Sequence, residues 1–241
     1  MILQPKILIP GMPQWRRGRV SGAGGGTSFT ETAYTDDAAN WNSPGIKTIS
    51  GMAIGSAASD RIICAAINLR AAGNVDQNGL MTVTIGGISA AYALICCTGL
   101  ATANFLSCVA WANVPTGTTA DLVVDLYNID GSWIQAALYR LTGFSTTVQD
   151  SGTANGATTL SDTLTSSNGS AVVCAAVGNP NGGNEGTWSG GVTEQYDVDV
   201  DSDYGGIATG TATGSTISPQ IVFAASTSNF TAFAAAVFAP S

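Results

Sequence analysis

The sequence contains no histidine. That removes the side chain that most often acts as a general base near neutral pH, the commonest transition-metal ligand, and every Ser-His or Cys-His nucleophile pair. Charge is also scarce: Asp, Glu, Lys and Arg make up 10% of the 241 residues, against roughly 25% in an ordinary soluble domain. An exterior with so few charged side chains has to be covered by Ser, Thr, Asn and Gly, which suits a protein whose faces are occupied by neighbours. No run approaches the about 18 uninterrupted apolar residues that a membrane-spanning helix needs. CxxC spacing is missing, and the five cysteines are an odd number, so neither a closed disulfide framework nor a zinc site is signalled. Cys64 and Cys174 sit in apolar runs and read as small buried hydrophobes. Cys96 and Cys97 are adjacent, so on a strand one of them points outward, where it could form an intermolecular bond.

What is present is acidic and glycine-rich, with a net charge of −8 and 30 glycines. Such a body repels phosphate backbones, so nucleic acid is not expected as a partner. Four of the eight basic residues, Lys6, Arg16, Arg17 and Arg19, fall in the first 19 positions. Residues 1–28 are broken by Pro5, Pro10 and Pro13 and close on SGAGGGTS, which predicts an extended arm on a flexible hinge. Ile7, Leu8, Ile9, Trp15, Arg16 and Arg17 are its candidate partner-binding residues, because apolar side chains on an arm gain free energy only against a partner. Its apolar part precedes its basic part, the reverse of a secretory signal. Synthesis in a cytoplasm with no address is the expectation.

From residue 29 to 241 the chain is a series of short apolar or alternating runs between Gly, Asn, Asp, Ser and Thr clusters: KTISGMAIG, RIICAAINL, LMTVTIGGI, YALICC, FLSCVAWANV, ADLVVDLY, WIQAALYRL, SAVVCAAV, TWSGGVTEQY, PQIVFAAS and FTAFAAAVF. Runs of this length rich in Val, Ile, Thr and aromatics predict an all-β sandwich or barrel. Four elements then recur in the same order. RIICAAINL (61–69) is echoed by AVVCAAVGN (171–179), with Cys64 and Cys174 in the same place, and IGGISAAY (85–92) by SGGVTEQY (189–196). PTGTTADLVVDL (115–126) is echoed by ATGSTISPQIVFA (212–224), and ALYRLTGFS (137–145) by AAAVFAPS (234–241). Two pseudo-repeats, about 60–145 and 169–241, predict two four-strand halves closing into one antiparallel two-sheet sandwich of jelly-roll type. In RIICAAINL the residues Ile62, Cys64 and Ala66 share one face, and Ile63, Ala65 and Ile67 the other. With both faces apolar, this strand should be central and covered on both sides, by the second sheet and by a neighbour or loop.

Two clusters are candidate sites. Asp197, Asp199, Asp201 and Asp203 alternate along DVDVDSD and could offer oxygens to calcium, although the glycine and glutamate positions of an EF-hand loop are wrong. The competing reading is a solvated acidic edge that discourages strand-to-strand aggregation. Trp188, Tyr196 and Tyr204 flank this run and are candidate glycan-stacking platforms. No glycosidase motif surrounds Glu31, Glu185 or Glu194, so no catalytic residue and no cofactor is assigned.

The order DRIICAAINLR, VTIGGISA, ANVPTGTTADLVVDL, ALYRLTG and WSGGVTEQYD resembles β-sandwich structural proteins of tailed bacteriophages and prophages encoded near tail and fibre genes. It spans roughly residues 59–241. The resemblance implies a virion component and carries no catalytic residue, and the sequence departs from that group in its cysteines and in the arm before residue 28. The expectation built on it is a non-enzymatic, homo-oligomeric structural protein attached to other virion proteins through the arm. A module that recognises a host surface glycan is the alternative.

Overall fold

A computed structural model describes residues 26–37, 45–72, 81–97, 104–127, 129–180, 186–200, 203–223 and 226–241. Among these are nineteen strands and no helix, and every strand pairing is antiparallel. The all-β expectation holds.

The strands form four layers. In the first half an inner sheet runs, in spatial order, β1 (Ser28–Asp37), β9 (Asp130–Thr142), β3 (Ile62–Ala72), β7 (Asn104–Asn113) and β6 (Ala91–Cys97). An outer sheet runs β2 (Ile46–Ala53), β8 (Thr119–Asp125), β4 (Thr82–Ile85) and β5 (Ile88–Ser89). The second half repeats the inner order as β10 (Asp150–Asn155), β19 (Ser226–Phe238), β13 (Ala171–Pro180), β16 (Asp203–Thr211) and β15 (Val192–Val200). Its outer layer is β11 (Thr159–Ser161), β18 (Gln220–Phe223) and β14 (Gly186–Ser189), beside the pair β12 (Leu164–Thr165) and β17 (Thr216–Ile217).

Each half supplies one five-stranded sheet of a central antiparallel double sheet, as the echo led us to expect, and each adds an outer layer of its own. Each carries its own pair of sheets, and the two inner sheets pack on each other. Three apolar layers fill the gaps. The odd residues of β3 (Ile63, Ala65, Ile67, Leu69) meet Val83 and Leu122 of the outer sheet. Its even residues (Ile62, Cys64, Ala66) meet Val173, Ala175 and Ala236 across the seam between halves. Val172, Cys174 and Val237 on the far side of the second inner sheet meet Leu160, Ile221 and Phe223. A strand apolar on both faces is covered on both faces, and the second cover is the chain's own other half.

The register corrects the echo by one residue. Leu141 pairs with Ile62 in the first half and Phe238 pairs with Ala171 in the second. Cys64 then corresponds to Val173, and Cys174 to Ala65. Because side chains alternate along a strand, a one-residue slip moves a residue to the opposite face. Cys64 faces the seam, whereas Cys174 faces the outer layer.

The paired glycines of the echo are left-handed in both halves, closing the β4–β5 hairpin in the first and leading from an outer to an inner strand in the second. Gly86 and Gly87 (φ 60° and 78°) join β4 to β5, and Gly190 and Gly191 (φ 74° and 88°) join β14 to β15. Two successive left-handed residues are what the tightest strand connection requires, and glycine adopts them without Cβ strain.

Candidate functional site

Four buried polar side chains, Asn68, Ser107, Gln135 and Asp203, gather at one end of the seam between the inner sheets. Asn68, Ser107 and Gln135 are fully buried on neighbouring strands of the first half. Opposite them the second half presents bare backbone. Asn68 Nδ2 donates to Gln135 Oε1 (2.8 Å) and to Gly206 O (3.0 Å), and Gln135 Nε2 donates to Gly205 O (3.2 Å). Ser107 Oγ lies 2.9 Å from Asn68 Oδ1 and 3.1 Å from Ala232 O, so its single proton serves one acceptor at a time.

Gly205 lets the sheets approach: a Cβ there would sit 2.7 Å from Gln135 Oε1. The same end holds an ion pair between halves. Asp203 is fully buried and accepts from Arg70 Nη1 (2.8 Å) and Trp133 Nε1 (3.2 Å), while the Arg70 guanidinium lies 5.8 Å from the Phe105 ring centroid.

At the open edge of the seam, where β1 and β15 are the outermost strands of their sheets, Tyr34 and Tyr196 stack with centroids 3.8 Å apart and planes at 10°. Tyr196 OH donates to Glu31 Oε1 across the seam. Burial pushes the Glu31 carboxyl above its ordinary range, and the Tyr196 hydrogen bond opposes this in part. Burial also raises both phenols, further helped at Tyr34 by the charges of Asp36 and Asp197 nearby. The Tyr139 hydroxyl, buried on the strand beside Glu31, has no hydrogen-bond partner among the described residues.

A fully buried cation was not foreseen from the sequence. Arg61, fully buried just before β3, donates to the carbonyls of Val114 (2.6 Å), Ile54 (3.4 Å), Gly55 (2.8 Å), Gly117 (3.0 Å) and Thr116 (2.5 Å). It ties two loops to the end of the first half. At the equivalent end of the second half the job falls to Ser170, whose Oγ donates to Gln149 Oε1 (3.0 Å) and contacts Ser167 Oγ (2.9 Å).

The sequence-predicted clusters are dispersed. The alternating aspartates do not share one side: Asp197 and Asp199 are exposed on β15, whereas Asp203 turns into the seam to meet Arg70, and Asp201 lies outside the described residues. No group of three or more metal-ligating side chains occurs among the described residues. The aromatic trio is not an exposed platform. Tyr204 is 3% exposed with its ring edge-on to Phe223, and half-buried Trp188 packs toward Phe233, both in the outer core of the second half. Tyr196 lies on the other face of the sheet, in the seam. Alternation along the strands separates them.

Cys64 and Cys174 are buried, as read from their apolar runs, and so is Cys108; all three are free thiols whose ionisation is suppressed by burial. The backbone of Cys96 and Cys97 lies in β6, but their side chains, like the arm residues Ile7, Leu8, Ile9, Trp15, Arg16 and Arg17, lie outside the described residues. Among the described residues no helix is long and apolar enough to cross a membrane. Comparison with family models, with curated proteins and with solved structures finds no match to this chain.

Proposed function

We propose that this protein is a non-enzymatic structural component of a larger assembly, a virion component of the bacteriophage class its sequence resembles, attached by the basic arm read at residues 1–28. One observation supports the reading most. Five buried polar or charged side chains are engaged in holding the fold: Arg61 by five carbonyls, Asn68, Ser107 and Gln135 by each other and by carbonyls across the seam, Asp203 by Arg70. Polar networks satisfied in this way make a body rigid.

The outer layers fit the same reading. Thr159, Ser161, Thr187, Ser189 and Val222 are exposed on strands β11, β14 and β18, which carry no charged residue. An uncharged face of mostly small side chains is compatible with close neighbours. Removing residues 1–20 is expected to leave a folded body that no longer enters particles. Normal incorporation of the shortened chain overturns the proposal.

A further inference from the structure

We propose that β6 is the edge through which two copies of this chain pair, antiparallel and centred on Leu94, so that their inner sheets join strand to strand. The inference rests on the homo-oligomeric part of the assembly reading and makes no use of the arm.

The two long sides of the central double sheet are unlike. One ends on β1 and β15, which carry Glu31, Asp36, Asp37, Glu194, Asp197 and Asp199, and each of these strands has a register shift, at Glu31/Ala33 and at Glu194/Tyr196. Charges and bulges on an edge keep another strand from adding to it. The other side ends on β6 and β10. β6 reads AYALICC, without charge, proline or glycine, and pairs with β7 over its whole length with no shift. β10 has one acid, Asp150, whose oxygens already accept from the Ser151 and Thr165 backbone. The outer sheets end on β2, which carries Lys47 and a register shift, or on strands of four residues or fewer. Among the described edges β6 is the long, regular and uncharged one.

The direction of its backbone groups follows from the ladder. Val114 N donates to Arg61 O (3.1 Å), one step beyond the Ile62–Asn113 pair of β3 and β7. Bonded pairs recur at every second residue of an antiparallel ladder. Trp111, Val109, Ser107 and Phe105 of β7 therefore bond toward β6, where they pair with Ala91, Ala93, Ile95 and Cys97. That leaves the N–H and C=O groups of Tyr92, Leu94 and Cys96 directed away from β7. Ala90, of the same parity, already turns away in this manner, its N–H donating to Val83 O (2.9 Å) of β4. Tyr92 and Leu94 have no such backbone partner among the described residues.

Outward residues spaced evenly about Leu94 are self-complementary. A two-fold axis there sets Leu94 against Leu94 of the second copy and Tyr92 against Cys96 of the second copy, and each such pair exchanges two backbone hydrogen bonds. Electrostatics favours the same edge. Each chain carries a net charge of −8, so copies repel one another. Meeting along β6 brings no charged side chain of that strand against its copy, whereas meeting along β1 and β15 would set the six acids named above against theirs.

The experiment uses the full chain in analytical ultracentrifugation, where the wild type is expected to dimerise. Leu94→Pro removes an N–H that only the second copy uses, and an edge strand tolerates proline where the N–H faces outward. The apparent Kd should rise about tenfold or more, with the strand spectrum in circular dichroism retained. In a chain carrying Cys96→Ser and Cys97→Ser, Leu94→Cys should form a disulfide-linked dimer on mild oxidation, because the Cα atoms of a bonded antiparallel pair lie about 5.5 Å apart, within disulfide reach. This second readout decides the matter if Leu94→Pro unfolds. A folded Leu94→Pro protein as dimeric as the wild type, or a Leu94→Cys chain that stays unlinked, overturns the β6 edge. A wild-type chain that is monomeric at every concentration overturns it as well, while the arm's role is judged separately by particle entry of the shortened chain.

Discussion

Cys64 and Cys174 occupy the same place in the two sequence repeats, yet they point to opposite sides of the molecule's inner sheets, one into the seam and the other into an outer core. The pairing register places Val173, not Cys174, where Cys64 stands in the first half. The halves are related in strand order and differ in which side chains meet at their shared face. On the first half that face offers the amide and hydroxyl donors Asn68, Gln135 and Ser107, and on the second it offers Val177, Gly205 and Ala232 at the matching positions. Donor side chains against bare carbonyls make the seam complementary between unlike halves.

Asn68→Leu tests that seam. It leaves Gln135 Oε1 and Gly206 O buried without their donor. Each such group costs about 1–3 kcal/mol, so urea unfolding should show a loss of about 2–5 kcal/mol with the spectrum of the folded state retained.

Arg61→Met removes the guanidinium that serves five backbone carbonyls and keeps most of its length. A loss of about 3–5 kcal/mol is expected, the range seen when a buried polar cluster loses its central member. Arg61→Lys should recover only part of it, because an ammonium is a point donor and lacks the guanidinium fork. Chemical denaturation of the three proteins measures both differences.

Matching turns should differ in their tolerance of alanine. At Gly86 an added Cβ meets Ala120 Cβ at 3.4 Å, an ordinary contact, so Gly86→Ala should lose only the about 1–2 kcal/mol of a left-handed backbone. At Gly190 the same atom would lie 1.8 Å from Ser218 O. Because the obstacle is backbone, Gly190→Ala should lose a further about 1–3 kcal/mol, visible as a clearly lower melting temperature.

The Glu31 carboxyl is raised by burial, so the folded state holds its proton more tightly than the unfolded chain does. Its contribution to stability is therefore fully present below the unfolded value and is lost as pH rises through the folded one. Glu31→Gln keeps an acceptor for Tyr196 without the buried charge. The variant should melt above the parent at pH 7, and the gap should close as the pH falls below about 4. Asp150, lowered by hydrogen bonds from the Thr165 and Ser151 backbone, acts in the opposite sense and cancels in this comparison.

Strands rich in β-branched residues could be read directly. RIICAAINL, FLSCVAWANV, WIQAALYRL, SAVVCAAV and FTAFAAAVF coincide with β3, β7, β9, β13 and β19, the central strands of the inner sheets and their neighbours. β16 was hidden by its own packing. Its glycines look like a turn in the sequence, but at Gly205 the opposing sheet comes close enough that a Cβ would meet Gln135, and at Gly206 a Cβ would meet the Tyr204 ring of the same strand. Glycine in a strand interior marks such an approach as readily as it marks a turn. The candidate clusters failed for a related reason. Asp197, Asp199 and Asp203 follow one another in sequence, but Asp203 is on β16 opposite Val200, on the seam face, where it meets Arg70.

Composition and period-two alternation by themselves determined that this chain is all-β, internally repeated, charge-poor and without histidine chemistry, because those properties depend only on residue types and on neighbours one or two positions away. Tertiary structure alone decided that the repeats stack as two complete sandwiches, that Cys64 and Cys174 part company, and that Arg61, Asn68 and Asp203 find their partners. Those outcomes depend on pairing register and on contacts between residues dozens to more than a hundred positions apart. A one-residue slip, nearly invisible in a repeat rich in alanine and valine, reverses every side chain on the strand.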